Sequence, residues 1–480
     1  MVTISNYIGG ASVAPHGNGY LDNYEPATGQ IYSRIPDSDE RDVLAAIEAA
    51  KKAQRSWATL PTSKRSQFML DIAAAIDAKA EELAQAESRD NGKPVTLARE
   101  VDIPRASSNM RFFATAILHE ENSAYQTDEI AINYTHRSPL GVVGCISPWN
   151  LPIYLFTWKI APALAAGNCV IAKPSEITPY TAFLFGQICQ EVGLPAGVLN
   201  IVHGLGGKAG AAIVSHPEVK AISFTGGTST GEAIARIAAP MFKKLSLELG
   251  GKNPVLIFDD CDYDKMLSTV VRSSFANQGQ ICLCGSRILI QRGTYERFKK
   301  DFVEKIKAVK VGPPHLKDST MGAVVSEGHM KKVLSYIALA KEEGGRILCG
   351  GEQLHMEEEH AGGWYIAPTV IENLSMACRT NQEEIFGPVV TLLPFDTEEE
   401  GLAMANDTTY GLAASLWTSD LQRAHNLAHA LEVGIVWVNT WLLRDLRTPF
   451  GGMKSSGVGR EGGYHALHFF TEEKNVCIRL

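Results

Sequence analysis

The sequence lacks an uninterrupted hydrophobic segment that could cross a membrane. Its most apolar stretch, residues 142–172, is broken by three prolines, by Asn150 and by Lys159. A membrane-spanning helix needs about 20 consecutive, mostly apolar residues, so buried strand, loop and helix fit this stretch better. The first residues also lack the basic and then apolar blocks of a secretory signal. We therefore expect a cytoplasmic protein with no membrane partner.

An excess of positive charge and paired metal-ligand motifs are also missing. The formal net charge is −8, so nothing global attracts nucleic acid, and any anion site must be a local group of arginines. The nine cysteines are an odd number, which predicts free thiols in a reducing compartment. Cys282 and Cys284 form a C-x-C pair without a second C-x-x-C or H-x-x-H partner, so we expect no metal site.

The length and the hydrophobic pattern predict an α/β protein with more than one domain. A chain of 480 residues exceeds one ordinary core. From about Asp37 to Leu83 the pattern is helical, and Asp37 with Glu40 resembles a capping box. Short β-branched runs then alternate with helical patterns on both sides of Gly250 and Gly251, which predicts two parallel-sheet domains.

Two further segments, residues 130–134 and 476–480, alternate with a period of two. This pattern is typical of half-apolar edge strands, which proteins usually cover. We expect another subunit to be their partner.

Two neighbouring motifs carry the chemistry. The chain reads F-A-N-Q-G-Q-I-C from Phe275 to Cys282 and L-E-L-G-G-K-N-P from Leu247 to Pro254. A thiolate can add to a carbonyl carbon, and a carboxylate such as Glu248 can activate the thiol and later a water. Most cysteines are small buried hydrophobes, and most glutamates are caps or solvated, so each residue alone would be weak evidence.

Together the two motifs resemble the signature motifs of the NAD(P)-dependent aldehyde dehydrogenases, and the resemblance extends over nearly the whole chain. It implies two Rossmann-type parallel-sheet domains, a small β oligomerisation element, and a homodimer or homotetramer. The implied boundaries are 1–115 and 140–250 for the NAD-binding domain, 251–447 for the catalytic domain, 448–465 for a return to the NAD-binding domain, and 116–139 and 466–480 for the oligomerisation strands.

The resemblance also implies a mechanism. Cys282, two residues after Gln280, would be the nucleophile in preference to Cys284, and would form a thiohemiacetal and then a thioester. The Asn150 amide and the Cys282 backbone N–H would form the oxyanion hole, and Glu248 would activate the water that releases the acid.

The cofactor is expected to be NAD. Gly204–Ala209 matches G-x-G-x-x-A after a strand, and Phe224–Gly231 follows a strand and opens a helical run whose N–H groups would attract phosphate. The family has a serine where this chain has Gly227, but the backbone cradle remains. A carboxylate at Glu176 would repel a 2′-phosphate, which favours NAD over NADP. The implied cofactor residues are Ile146, Ser147, Trp149, Lys173, Ser175, Glu176, Gly206, Phe224, Thr225, Gly226, Gly227, Leu249, Glu384 and Phe386.

The expected substrate is an aldehyde that carries a carboxylate. Arginine forks bind carboxylates in a bidentate manner, although pairing with a neighbour such as Asp445 is an equally good explanation for any single arginine. D-I-P-R around Arg105 and N-x-W-L-x-R-x-L around Arg444 resemble the muconate-semialdehyde dehydrogenases. Those enzymes oxidise 2-aminomuconate or 2-hydroxymuconate 6-semialdehyde to the diacid in tryptophan-derived and aromatic ring-cleavage catabolism. The substrate residues are expected to be Arg105, Arg444, Trp158 and Phe450, with Arg111 and Arg447 in reserve.

The sequence favours the amino over the hydroxy substrate only slightly, and other functions stay open. The chain could act on another carboxylated semialdehyde, or it could be a coenzyme A-acylating relative, although Glu248 argues against a step without water. It could also be a non-catalytic structural relative, or a cysteine hydrolase in which Cys282 pairs with His136, His203 or His216.

Overall fold

The computed structural model describes residues 1–480, which form 16 α-helices and 25 β-strands. The helices are α1 Glu40–Thr59, α2 Thr62–Ala78, α3 Ala80–Asn91, α4 Val95–Leu97, α5 Ile103–Ala116, α6 Pro152–Ala165, α7 Tyr180–Glu191, α8 Ala211–Ser215, α9 Thr228–Ala238, α10 Tyr263–Phe275, α11 Arg292–Lys307, α12 Glu327–Glu342, α13 Arg379–Gln382, α14 Glu398–Asn406, α15 Leu421–Ala430 and α16 Gly463–Phe469. The strands are β1 Val2–Thr3, β2 Asn6–Ile8, β3 Ala11–Val13, β4 Tyr20–Glu25, β5 Gln30–Pro36, β6 Ala124–Thr127, β7 Ala131–Pro139, β8 Val142–Ile146, β9 Cys169–Lys173, β10 Leu199–Ile201, β11 Val219–Thr225, β12 Lys244–Glu248, β13 Asn253–Ile257, β14 Gly285–Gln291, β15 Arg346–Cys349, β16 Gln353–Leu354, β17 Tyr365–Ile366, β18 Thr369–Glu372, β19 Val389–Phe395, β20 Tyr410–Gly411, β21 Ala413–Trp417, β22 Ile435–Val438, β23 Met453–Lys454, β24 Gly457–Val458 and β25 Thr471–Arg479.

The first large sheet has eight strands in the order β24-β12-β11-β8-β9-β10-β2-β3. Its five central strands run parallel, and every residue of β8 and β9 is buried. Continuous apolar runs are expected there because helices cover both faces of a parallel sheet. Helices α1 and α6 pack on these two strands, so the apolar stretch after residue 142 lies in the core, as expected.

The second large sheet has seven strands in the order β15-β18-β19-β14-β13-β21-β22. All its pairs are parallel except the edge pair β15–β18. The chain passes from the first sheet to the second through residues 249–252, where the sequence predicted the division. It later returns to the first sheet, because β24 pairs with β12 at its edge.

The third sheet corrects the expected partner of the two alternating segments. Strand β25 pairs with β7 along its whole length, and β6 pairs with the other side of β7. The backbone partner of each alternating segment therefore lies in the same chain, because a long connection brings the C-terminal strand back beside β7. The sheet still exposes apolar side chains, namely Tyr125, Ile130, Ile132, Tyr134, Ile478 and Leu480.

The first helix begins later than the sequence predicted. Its capping box uses Asp39 and Asp42, because the extended backbone at Asp39 aims that side chain at the Arg41 N–H while Asp42 accepts from the Asp39 N–H. Asp37 instead pairs with Lys208. The predicted helical region is divided into α1, α2 and α3. None of the helices is long and apolar enough to cross a membrane.

Candidate active site

The candidate site lies where the strand order of the first sheet reverses. The chain moves from β8 to β9 and β10 on one side, whereas β11 lies on the other side of β8. In open parallel sheets, ligands bind outside the carboxyl ends of the strands at such a switch point. A cleft of about 250 Å³ opens there. It is lined by Pro148, Trp149, Asn150, Thr225, Gly226, Gly227, Leu249, Gly250, Cys282, His329, Lys332, Glu384 and Phe386.

The loop before Cys282 has an unusual backbone. Asn277, Gln278 and Gly279 are all left-handed, with φ of 51°, 58° and 70°. A Cβ on Gly279 would lie 2.2 Å from the Gly387 carbonyl oxygen, so the loop contacts the segment that carries Phe386. Left-handed non-glycine residues cost free energy and cluster at functional sites. This strained turn places Cys282 in the lining of the cleft.

The backbone around Cys282 is fixed by one side chain from the second sheet. The Asn253 amide Nδ2 donates to the Cys282 carbonyl at 2.7 Å and to the Cys284 carbonyl at 2.9 Å. Its Oδ1 accepts from the Ala413 N–H at 3.1 Å. Because the amide is satisfied on both sides, it holds the thiol-bearing residue against β13 and β21.

Burial makes Glu248 a stronger base than an ordinary carboxylate and Cys282 a weaker acid than an ordinary thiol. Glu248 is buried, and neither carboxylate oxygen has a hydrogen-bond partner. Burial, together with the charge of Glu461, raises the pKa of Glu248 well above the ordinary carboxyl value. Burial and the charges of Glu384 and Glu248 also raise the pKa of the Cys282 thiol. A carboxylate that is hard to keep ionised is well suited to take a proton from a neighbouring thiol or water.

Asn150 lies beside the loop that carries Cys282, and hydrogen bonds hold both its side chain and its backbone carbonyl. Its Nδ2 donates to the Gln280 carbonyl at 2.9 Å, two residues before Cys282. Its own carbonyl accepts from Asn277 at 2.9 Å and from the Lys93 ammonium at 3.1 Å. The side-chain amide is thus placed next to the thiol-bearing loop, as an oxyanion donor would need to be.

A buried ion pair that the sequence did not indicate, Lys159 with Glu461, lies close enough to Glu248 to shift its pKa. The Lys159 ammonium pairs with Glu461 at 2.8 Å and donates to the Ser223 hydroxyl at 3.1 Å. Lys159 and Glu461 are 302 positions apart, so no local motif could have linked them. Their charges act in opposite directions on Glu248, because Glu461 raises its pKa and Lys159 lowers it.

An aromatic wall closes one side of the cleft. Trp149 meets Phe386 edge-on at 5.2 Å between ring centroids, and His329 at 5.0 Å. Phe386 has a positive φ of 62°, and its carbonyl contacts the His329 Nε2 at 2.7 Å. His329 and the nearby Lys332 were missed, because helix α12 has no local motif that points to a cleft.

Glu384 accepts a hydrogen bond from the turn that connects the two sheets. Its Oε1 accepts from the Gly251 N–H at 2.8 Å. A Cβ on Gly250 would lie 2.6 Å from its other oxygen, so this position must be glycine for the carboxylate to approach. The carboxylate therefore lies in the lining of the cleft, against this turn.

The remaining expected cofactor residues form the neighbouring strand ends. Ile146 is in register with Lys173 on one side and with Phe224 on the other. The Ser147 N–H donates to the Lys173 carbonyl at 3.1 Å, and the Lys173 ammonium pairs with Glu176 at 2.9 Å. Ser175 is buried beside this pair. The pairing of Glu176 with Lys173, and a hydrogen bond from the Gly206 backbone, lower the pKa of Glu176.

The four candidate arginines have different environments. Arg444 lies 4.0 Å from the Phe450 ring centroid and 5.2 Å from that of Trp158, and its Nη1 donates to the Tyr154 hydroxyl at 3.3 Å. Arg105 lies 5.5 Å from the Tyr154 ring centroid. The fold therefore brings Arg105 and Arg444 to the same tyrosine, which the sequence did not indicate.

The two reserve arginines are already paired at the surface. Arg447 forms a salt bridge with Asp445 at 2.6 Å, and its side chain is 79% exposed. Arg111 pairs with Asp77 on the outside of α5. By contrast, the Nη2 of Arg444 is buried and has no hydrogen-bond partner.

Comparison with known proteins places this geometry in a family. The aldehyde dehydrogenase family matches residues 13–476. The 2-aminomuconic semialdehyde dehydrogenase of Danio rerio is 49% identical, covering 100% of this chain and 98% of that protein. A 2-hydroxymuconic semialdehyde dehydrogenase of a Pseudomonas species is 44% identical, covering 100% of both. The structure of a Bacillus cereus aldehyde dehydrogenase in complex with NAD+ has a TM-score of 0.97 at 38% identity, covering 100% of this chain and 97% of that one. With its α/β fold and the two signature motifs, the chain belongs to the aldehyde dehydrogenase family.

Proposed function

We propose that this protein oxidises 2-aminomuconate 6-semialdehyde to the dicarboxylic acid with NAD, and that 2-hydroxymuconate 6-semialdehyde is the second candidate substrate. Relatives with both names match the whole chain, at 49% and 44% identity. The higher identity supports the amino compound, in agreement with the slight preference from the sequence. The function would place the protein in aromatic ring-cleavage and tryptophan catabolism.

The observation that carries the proposal is the environment of Arg444. Its guanidinium has one buried nitrogen without a partner and lies among Tyr154, Trp158 and Phe450. Its charge is also close enough to oppose the rise that burial causes in the pKa of both Cys282 and Glu248. An unpaired guanidinium so near the reacting groups fits a substrate whose far end is a carboxylate. Arg105 on the same tyrosine would give the second contact.

The chain's own residues account for the chemistry. Glu248 takes the thiol proton, and the Cys282 thiolate adds to the aldehyde carbon to form a thiohemiacetal. The Asn150 amide and the Cys282 backbone N–H stabilise the alkoxide. Loss of hydride then leaves a thioester on Cys282. After Glu248 has released its first proton, it takes a proton from water, the resulting hydroxide adds to the thioester carbon, and the thiolate leaves with release of the acid.

A nicotinamide dinucleotide would supply the hydride acceptor, and the residues at the switch point fit one. The Ser147 hydroxyl after β8 and the Thr225 hydroxyl at the end of β11 are buried without partners. Helix α9 begins beside them without a side-chain cap, so its first N–H groups are free for phosphate. Glu176 is ionised beside Lys173 and would bind a ribose hydroxyl and repel a 2′-phosphate. These residues support NAD over NADP.

The domain roles and the assembly are also proposals. We assign residues 1–115, 140–250 and 448–465 to cofactor binding and residues 251–447 to catalysis, because the chain changes sheets between β12 and β13. We assign residues 116–139 and 466–480 to subunit contacts in a homodimer or homotetramer. The apolar side chains that the third sheet exposes support this assignment. The nine free cysteines support a cytoplasmic location.

A steady-state assay of NADH formation tests the proposal. The purified protein is given NAD+ with 2-aminomuconate 6-semialdehyde, 2-hydroxymuconate 6-semialdehyde or hexanal as the neutral aldehyde. We expect the highest kcat/KM for the amino compound and the lowest for hexanal. Equal kcat/KM values for all three would contradict the proposal. NADH formation would argue against a hydrolase or a non-catalytic relative, and a rate that requires coenzyme A would favour the acylating alternative.

A further inference from the structure

Lys93 and Asp102 form an ion pair with no access to solvent. The Lys93 Nζ lies 2.9 Å from the Asp102 Oδ2, and both side chains are 0% exposed. Burying two charges removes their hydration, so such a pair gives little net stability compared with apolar residues of similar size. Its position between two parts of the substrate site suggests a different role.

The lysine end of the pair reaches the residue proposed as the oxyanion donor. The Lys93 ammonium also donates to the Asn150 carbonyl at 3.1 Å. The Asn91 amide donates to the neighbouring Trp149 carbonyl at 2.9 Å. The C-terminal residue of α3 and the segment that follows it thus hold the backbone of the 149–150 turn through two adjacent carbonyls. Because the Asn150 side chain extends from that backbone, its direction depends on these bonds.

The aspartate end reaches the helix that carries Arg105. Residues 98–102 form a single π-helical turn that leads into α5. Such turns insert one extra residue and are frequent at functional sites. Here the turn ends with Asp102 directed at Lys93, and Arg105 follows three residues later. Farther along α5, the Asn109 amide donates to the Tyr154 carbonyl at 3.0 Å. The helix is therefore fixed at two points on either side of Arg105.

We propose that Lys93 and Asp102 are positioning residues that hold the oxyanion donor Asn150 and the carboxylate-binding Arg105 at a set separation. This inference rests on the proposed function of those two residues. A substrate that spans both groups needs its aldehyde at Asn150 while its carboxylate is at Arg105. The ion pair fixes that distance because each of its members is bonded to one of the two segments. Recognition of the carboxylate is thus coupled to alignment of the carbonyl.

A second buried carboxyl, Glu87, interacts with the pair and guides the choice of variant. Glu87 accepts from the Thr181 hydroxyl at 2.7 Å and from the Ile153 N–H at 3.2 Å. Burial and the charge of Asp102 raise the pKa of Glu87 to about 8, and Asp102 is the carboxyl in direct contact with the Lys93 ammonium. If Asp102 becomes asparagine, Glu87 can ionise and balance Lys93. Asp102→Asn should therefore fold.

The test compares Asp102→Asn and the charge-neutral double variant Lys93→Met/Asp102→Asn with wild type. The control is Glu81→Gln/Arg99→Met, which removes an exposed salt bridge between α3 and the same π-helical turn. Each protein is assayed for NADH formation with 2-hydroxymuconate 6-semialdehyde and with hexanal, and its thermal midpoint is measured.

The double variant is expected to lower kcat by about 10- to 100-fold for both aldehydes, the effect of misplacing a reacting group by about 1 Å. Asp102→Asn is expected to raise KM for the carboxylated aldehyde several-fold while changing kcat for hexanal much less. The control should match wild type. A double variant with wild-type kcat, or KM values that rise equally for both aldehydes, would overturn the inference. If the double variant does not fold, Asp102→Asn decides by itself: an unchanged KM for the carboxylated aldehyde would overturn the inference.

The two proposals can fail separately. If wild type shows no preference for the carboxylated aldehyde, the proposed substrate is wrong, and the kcat of the double variant on hexanal still decides whether Lys93 positions Asn150. If wild type has the preference and Asp102→Asn keeps it in full, the substrate stands and the coupling is wrong.

Discussion

Replacing Arg444 with methionine should remove the preference for carboxylated aldehydes. Methionine keeps an unbranched apolar stem against Phe450 and Trp158, so the change removes the charge and its hydrogen bonds and leaves most of the packing. A charge-assisted hydrogen bond contributes about 1.5–3 kcal/mol. Since about 1.4 kcal/mol corresponds to a factor of ten, kcat/KM for 2-hydroxymuconate 6-semialdehyde should fall by about 10- to 100-fold. The value for hexanal should change much less.

The same segment offers a matched control for this prediction. Arg447 lies three residues later, is 79% exposed and is paired with Asp445. Arg447→Met removes the same charge from the same segment without reaching Tyr154. Steady-state NADH assays of both variants on both aldehydes give the ratio of kcat/KM values. If Arg444→Met and Arg447→Met have the same ratio as wild type, the proposed carboxylate contact is wrong.

Four further predictions concern the base, the oxyanion donor and the cofactor. Glu248→Gln should slow the first turnover of NADH, because the thiol loses its base, and should then stop as the thioester accumulates; single-turnover stopped flow with acyl-enzyme detected by mass spectrometry checks this, and steady release of acid at the wild-type rate would contradict it. Burial raises the pKa of Glu248, and the form that accepts a proton is the deprotonated one. We therefore expect kcat/KM to fall as the pH drops through a pKa above the ordinary carboxyl range. A pH–rate profile with its acid limb near 4 would be inconsistent with this. Asn150→Ala should lower kcat by about 10²- to 10³-fold with little change in the Kd for NAD+, measured by fluorescence titration. Glu176→Gln should reduce the preference for NAD+ over NADP+, measured as the ratio of kcat/KM values for the two cofactors, because the repulsion of a 2′-phosphate is removed.

The sequence predicted the α/β class and the passage between two parallel sheets because both depend on local patterns. Continuous apolar runs such as residues 142–146 mark strands that are buried on both faces, and they occur again in the second half of the chain. The start of α1 was misplaced by two residues, because Asp37 and Asp39 are equally plausible caps until the backbone at Asp39 is known. The partner of the final strand was also misjudged. Pairing over more than 300 residues leaves no local signal.

The sequence by itself determined the family and gave Cys282, Glu248 and Asn150 as the proposed reacting residues, because the thiol, carboxylate and amide each lie in a short motif that can be recognised without the fold. The tertiary structure alone decided which arginines meet. It brought Arg105 and Arg444 to Tyr154 and left Arg111 and Arg447 paired at the surface. The burial of Glu248 and the Lys93–Asp102 pair were likewise decided by the fold. The physical reason is that a pKa, or the freedom of a charge to bind a ligand, depends on neighbours that are distant in sequence.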